Sequence, residues 1–156
     1  MTLYEPPLLA RIPPPIWALL YLAVAFGIDT FVLDLHIQAL RHPLVGGLIA
    51  GVSLILALSA AFTFKRAGTQ ISPSAPVNAR LVEHGPYGLT RNPMYLSLVL
   101  LTTGIAFKFG APVLFLVPVI IYLTNDRIVV PYEEHKMEAQ YGDTYRSYMN
   151  RVRRWI

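Results

Sequence analysis

Residues 44–64 run without a single charged side chain, and no other feature constrains the fold of this chain as much. A helix of about 20 apolar residues crosses the hydrocarbon core of a bilayer. Lipid offers no hydrogen-bond partner, so such a segment must satisfy its backbone internally as a helix. Gly46, Gly47, Gly51, Ser53, Ser59 and several alanines within it are small enough to let a second helix approach closely. With 54% hydrophobic and only 14% charged residues, the chain has more apolar surface than a soluble core of its size would bury.

Three further runs accompany it. Residues 16–35 carry Asp29 and Asp34, which reads as placement near an interface, since carboxylates at mid-membrane are costly. Residues 94–107 and 109–123 are shorter, and Lys108, Phe109, Gly110, Ala111 and Pro112 between them read as a hairpin turn. The expected fold is all-α: one integral membrane domain over 1–156 with four transmembrane helices, the last two a helical hairpin, followed by C-terminal amphipathic helices. Within it, 1–65 supply two N-terminal spans and 66–156 the loop, hairpin and tail. No small-residue cleavage site closes the first apolar run, so it is expected to stay in the mature protein. The absence of cysteine excludes disulfides, thiolate catalysis and cysteine-ligated metal. The histidines, His36, His42, His84 and His135, lack ligand spacing, so no metal is expected.

Basic residues give the topology. With four spans, one side receives Arg11, Lys65, Arg66, Arg80, Arg91, Arg127, Lys136, Arg146, Arg151, Arg153 and Arg154. The other receives only Arg41 and Lys108, which completes the 13 lysines and arginines of the chain. Cytoplasmic loops carry the excess of positive charge, so both termini and the long loop are expected there, consistent with a bacterial inner membrane. The net charge of +4 is then read as facing membrane lipid, with no nucleic acid partner.

Residues 65–92, with Gly68, Pro73, Pro76, Gly85, Pro86 and Gly88, are too irregular to span a membrane and long for a connector, and such loops often carry function. Asn92 precedes Pro93 as an N-cap precedes a first helical position. Amides at that helix start, with Arg91 beside them, suit an anionic group. Beyond the fourth span, Glu133 and Glu134 are expected to begin a polar helix ending at Gly142, with Asp143 capping a second helix that carries Tyr145, Tyr148 and Val152 on one face. Adjacent carboxylates at a membrane face must be solvated, paired or engaged with a cation. The tail Arg151-Val152-Arg153-Arg154-Trp155-Ile156 suits the headgroup zone.

The pattern Leu81-Val82, Gly85-Pro86-Tyr87, Arg91-Asn92-Pro93-Met94-Tyr95, a hairpin, then Glu133-Glu134, Tyr141-Gly142 and Tyr145 with Tyr148 resembles the isoprenylcysteine carboxyl methyltransferase family. The closer likeness is to the short bacterial members of that membrane methyltransferase superfamily, and it covers residues 64–156. The resemblance implies S-adenosylmethionine as cofactor, in a cytoplasmic-side site formed by Leu81, Val82, Tyr87, Asn92, Pro93, Met94, Tyr95 and Glu133. It implies methyl transfer to a lipid-like or amphipathic acceptor. Arg91 or Arg127 would hold an anionic acceptor, and Glu134 or His84 would serve as base for a neutral one. Asn92 stands where the family usually has histidine, and Val129 where the eukaryotic enzymes have a substrate-binding arginine, so the likeness does not extend to prenylcysteine as acceptor. Two other readings are a membrane reductase using a nicotinamide cofactor, whose sterol-reductase-type relatives share a related site, and a non-catalytic membrane subunit.

Overall fold

The computed structural model describes residues 7–68 and 81–156; Pro73, Pro76 and Arg80 of the loop lie outside them. A short turn of helix, α1 (Leu8–Arg11), leads into α2 (Pro14–Ile28), which ends in a π turn at Asp29–Leu33. Then come α3 (Pro43–Arg66) and α4 (Pro93–Phe109). Leu116–Thr124 forms α5, Val130–Tyr141 forms α6 and Asp143–Arg151 forms α7. Three helical stretches are long and apolar enough to cross a membrane, Pro14–Leu33, Gln38–Arg66 and Pro112–Tyr141. The third expected span, α4, has 17 residues, about 25 Å at 1.5 Å per residue.

Small residues explain how α4 is held. A Cβ on Gly104 would stand 2.7 Å from the Gly46 carbonyl oxygen and 3.0 Å from the Ala50 amide, so α3 and α4 touch backbone to backbone. Nearer the other end of the pair Ser53 Oγ donates to the Ser97 carbonyl at 2.7 Å. Gly46 with Gly104 and Ser53 with Ser97 define an antiparallel register; of the small residues singled out in the second apolar run, Gly46 and Ser53 lie in this seam, whereas Gly47, Gly51 and Ser59 are exposed. Leu44, Leu48, Val52, Ile55, Leu58 and Phe62 on the rest of α3 are exposed, as a lipid-facing surface requires.

On another side of α4, Trp17, Ala18, Leu22 and Ala25 of α2 join Leu114, Val117, Ile121, Val129 and Val130 in one core. The hairpin turn falls where expected. Gly110 adopts φ 74°, and a Cβ there would be 2.7 Å from that of Arg41, while the Ile37 amide donates to the Gly110 carbonyl at 3.2 Å. Arg41 and Lys108 therefore sit at one end of the bundle. Asp29, near the end of the first apolar helix, is buried in the protein, 3.5 Å from His36 Nε2.

The fourth span differs from expectation. Glu133 and Glu134 do not begin a separate polar helix. Instead Pro112–Tyr141 is continuous over 30 residues, through a π turn at Asn125–Val129. Pro131 is accommodated there. Proline has no N–H to give, and the wider i→i+5 turn before it tolerates the missing bond. About 20 residues cross the hydrocarbon, so α6 emerges at the membrane face. Gly142, at φ 53°, turns the chain into α7. Asp143 is the first residue of α7 and makes no side-chain cap.

Candidate functional site

A cavity of about 600 Å³ lies at the end of the bundle where α2 and α4 begin and α3 ends. Its floor is Ser97 and Leu98 of α4. One wall is Ala57, Ala61 and Phe64 of α3 with Leu81 and Val82, and another is Glu133, Glu134, Lys136 and Met137 of α6. Pro13, Pro14 and Pro15 close one rim, and Tyr145 and Tyr148 of α7 another. The volume is that of a small-molecule or cofactor site, and the lining is mostly apolar with a few polar groups, as such sites are.

The loop residues are placed by local geometry. Residues 85–88 form one turn of 3₁₀ helix that buries Tyr87. Gly85 is at φ 62°, where a Cβ would also press on Thr63 Oγ1 at 3.2 Å. The Tyr87 ring packs on Phe64 with centroids 4.9 Å apart, and its carbonyl accepts from Tyr148 Oη at 2.7 Å. Pro93 takes the first position of α4 as expected. Asn92 does not cap that helix with its side chain; Thr90 Oγ1 accepts from the Asn92 amide at 3.2 Å instead. The Asn92 side chain donates to the Arg154 carbonyl at 3.0 Å.

The acidic pair splits by function. Glu133 Oε1 accepts from Tyr95 Oη at 2.6 Å, so Tyr95 orients a half-buried carboxylate at the cavity wall. Glu134 is enclosed by arginines: Arg91 Nη2 donates at 2.7 Å, Arg154 Nε at 3.1 Å and Arg154 Nη2 at 2.6 Å. Both Glu134 oxygens are thus engaged by cations, which is the environment of a counter-ion. The Arg154 guanidinium also reaches Asp126 Oδ1 at 3.1 Å, and the hydrogen bond to Glu134, then that to Asp126, holds it firmly charged. Burial, then the neighbouring Tyr148 and Glu133, pushes the Tyr87 hydroxyl well above the usual tyrosine range. Burial also raises Tyr145 and Tyr148. None of these three loop and tail phenols is a base at neutral pH.

The structure thus brings Leu81, Val82, Tyr87, Arg91, Asn92, Pro93, Met94, Tyr95, Glu133 and Glu134 to one cavity. It leaves out Arg127, which is 76% exposed and pairs with Asp126 at 3.3 Å, and His84, which is exposed. Successive helical residues are turned about 100° apart, and in the π turn Asp126, not Arg127, faces the tail. Arg154 and the proline rim were not read from the sequence as parts of the site. Tyr145 and Tyr148 were read as one face of a helix and as part of the family pattern, but not as site residues. Nothing in the sequence marks residues 13–15, which reach the cavity only through the packing of α2. Among the described residues no group of histidine and acidic side chains could hold a metal ion.

Helices that cross a bilayer, together with a loop and tail that roof a cofactor-sized cavity at one face, define an integral membrane protein built around a small-molecule site. The chain belongs to the phospholipid methyltransferase family, whose model matches residues 42–144, and it is therefore a membrane methyltransferase of the superfamily that the loop and tail motifs suggested. It is also similar to an uncharacterized protein of Haemophilus influenzae, at 35% identity over 63 residues, 40% of this chain and all of that protein. No solved structure matches it significantly.

Proposed function

We propose that the protein transfers a methyl group from S-adenosylmethionine to a lipid-like or amphipathic acceptor entering from the bilayer. In this reading it acts in a bacterial inner membrane, with both termini and the cavity on the cytoplasmic side. One observation carries the proposal. Leu81, Val82, Tyr87, Asn92, Pro93, Met94, Tyr95 and Glu133, which the family resemblance implies for the cofactor, come from separate segments and line a single cavity.

The residues present fit the cofactor. It needs an acceptor for its amine and ribose hydroxyls, a donor for its carboxylate and apolar or aromatic contact for the sulfonium. Glu133, held by Tyr95, is the acceptor. Arg91 lines the cavity and has a buried Nε without a partner. Tyr87 and Tyr95 offer aromatic faces to a cation. When bound, S-adenosylmethionine supplies an electrophilic methyl on a positively charged sulfur.

The chain's own part is then alignment and exclusion of water. The apolar walls Ala57, Ala61, Phe64 and Leu98 suit an acyl chain, and their low polarity strengthens the attraction between sulfonium and an anionic nucleophile. Because Glu134 is committed to Arg91 and Arg154 and the Tyr87 phenol is held neutral, Glu133 is the cavity carboxylate left to take a proton from a neutral acceptor.

The test uses purified protein in detergent. Calorimetry with S-adenosylmethionine should register binding, and methyl-labelled cofactor incubated with membrane lipid extract should label a lipid. Absence of binding, or a rise in melting temperature with a nicotinamide nucleotide and not with S-adenosylmethionine, overturns the proposal.

A further inference from the structure

After α7 the last residues, 152–156, leave helical geometry and run back past the start of α4 as a strap. Its backbone is tied to one wall. The Arg153 carbonyl accepts from the Arg91 amide at 3.0 Å, and the Arg154 carbonyl accepts from Thr90 Oγ1 at 2.9 Å and Asn92 Nδ2 at 3.0 Å. These contacts fall on the residues that start α4. Its side chains are tied to the opposite wall. Arg154 grips Glu134 through two nitrogens, and its third, Nη1, reaches both the Asp126 carboxylate and the Asp126 carbonyl, the latter at 3.4 Å. That carbonyl lies five residues before Pro131, which has no N–H to offer it, so a guanidinium fills the place of the missing donor. Trp155 Nε1 adds a bond to Asp126 Oδ1 at 3.0 Å, and its ring stacks on Tyr122 at 5.0 Å.

We infer that Arg154 is a positioning residue, and that the strap it anchors fixes the separation between the start of α4 and the Glu133 wall of α6. Only a planar fork can hold Glu134 and Asp126 together while its own carbonyl holds Thr90 and Asn92. The inference rests on the reading of the cavity as a cofactor site only where binding is measured. Asn92 acquires a role here distinct from that of the histidine it replaces, since its amide secures the strap.

Trp17 and Trp155 are the two tryptophans of the chain, so W17F leaves Trp155 as the sole reporter of strap docking. In that full-length background R154Q is compared with the parent in detergent by Trp155 emission, by hydrogen exchange of the amides at the start of α4, and by calorimetric titration with S-adenosylmethionine. The expected result is Trp155 emission at longer wavelength, faster exchange over residues 94–96 and a Kd raised about tenfold, the size typical of coupled networks. T90V, which removes one strap bond and the acceptor of the Asn92 amide but no charge, should shift Trp155 emission in the same direction and less far, and that emission decides the matter if R154Q does not fold. R154K, a point charge without the fork, should not restore the parent values. A red-shifted Trp155 with unchanged exchange, or unchanged emission in R154Q, overturns the inference. If the parent itself fails to bind S-adenosylmethionine, the proposed function falls while emission and exchange still decide the role of the strap.

Discussion

Replacing Glu134 with glutamine separates two roles that a carboxylate at a membrane face can play. In the structure Glu134 accepts from Arg91 at 2.7 Å and from Arg154 at 2.6 and 3.1 Å, and the side chains of Arg91, Glu134 and Arg154 are 11%, 15% and 32% exposed. A neutral amide in place of the Glu134 carboxylate would leave two guanidinium groups facing each other with Asp126 as the one remaining carboxylate beside them. Removing one partner of a fully buried pair costs about 3–5 kcal/mol. Partial solvent access to Arg154 reduces this, and about 2 kcal/mol is expected for E134Q. The assay is thermal or denaturant unfolding in detergent, run beside single-turnover methyl transfer at saturating cofactor. As a counter-ion, Glu134 should register in stability, and E134D, which keeps the charge, should recover part of the loss. A general base would instead register in the chemical step alone. An E134Q protein with unchanged stability and a turnover rate reduced a hundredfold or more would refute the assignment.

Three further outcomes follow from the same geometry. G104A places a methyl 2.7 Å from the Gly46 carbonyl, where only backbone can yield, whereas G47A meets nothing within 4 Å; the first should lose about 1–3 kcal/mol in unfolding measurements and the second essentially nothing. E133Q keeps the shape and the Tyr95 contact but removes the charge, and calorimetry should show S-adenosylmethionine bound tenfold or more weakly, in keeping with about 1.5–3 kcal/mol for a charged hydrogen bond. Tyr87, Tyr145 and Tyr148 have hydroxyls raised by burial, so above about pH 10 the unfolded chain sheds phenolic protons that the folded chain keeps. Stability should therefore fall as pH rises beyond about 10, and less steeply in Y145F, by unfolding at a series of alkaline pH values.

The spans were legible because lipid imposes one rule, continuous apolar helix, and residues 44–64 obey it without exception. The α3–α4 seam was legible in part: small residues marked the second apolar run as a close-packing helix, but of its glycines and serines only Gly46 and Ser53 face α4, and Gly47, Gly51 and Ser59 are exposed. The continuity of the fourth helix was not. Pro131 is ordinarily a stop signal, and its tolerance depends on a π turn and on a guanidinium from the far end of the tail, an arrangement that no local pattern displays. The same holds within the site. Tyr87, Tyr95 and Glu133 could be named because the loop and tail resemble a known family's motif, while the surroundings of Glu134 depended on which cations came to it in three dimensions.

That dependence changes how the acidic pair is understood. Two adjacent carboxylates invite one shared role, yet neighbours on a helix point about 100° apart and meet different surroundings. Glu133 turns toward Tyr95 and the cavity; Glu134 turns toward Arg91 and Arg154. On the proposed function and the role inferred for the strap, the second holds the strap in place through Arg154, and the first is the carboxylate presented to a ligand. Substitutions at Glu133 should accordingly weaken ligand affinity with little loss of stability, and substitutions at Glu134 should weaken both. Measuring affinity and unfolding on the same four proteins, E133Q, E133D, E134Q and E134D, checks the division. Equal patterns at the two positions would mean that the pair acts as one acidic group and that the arginines are incidental to it.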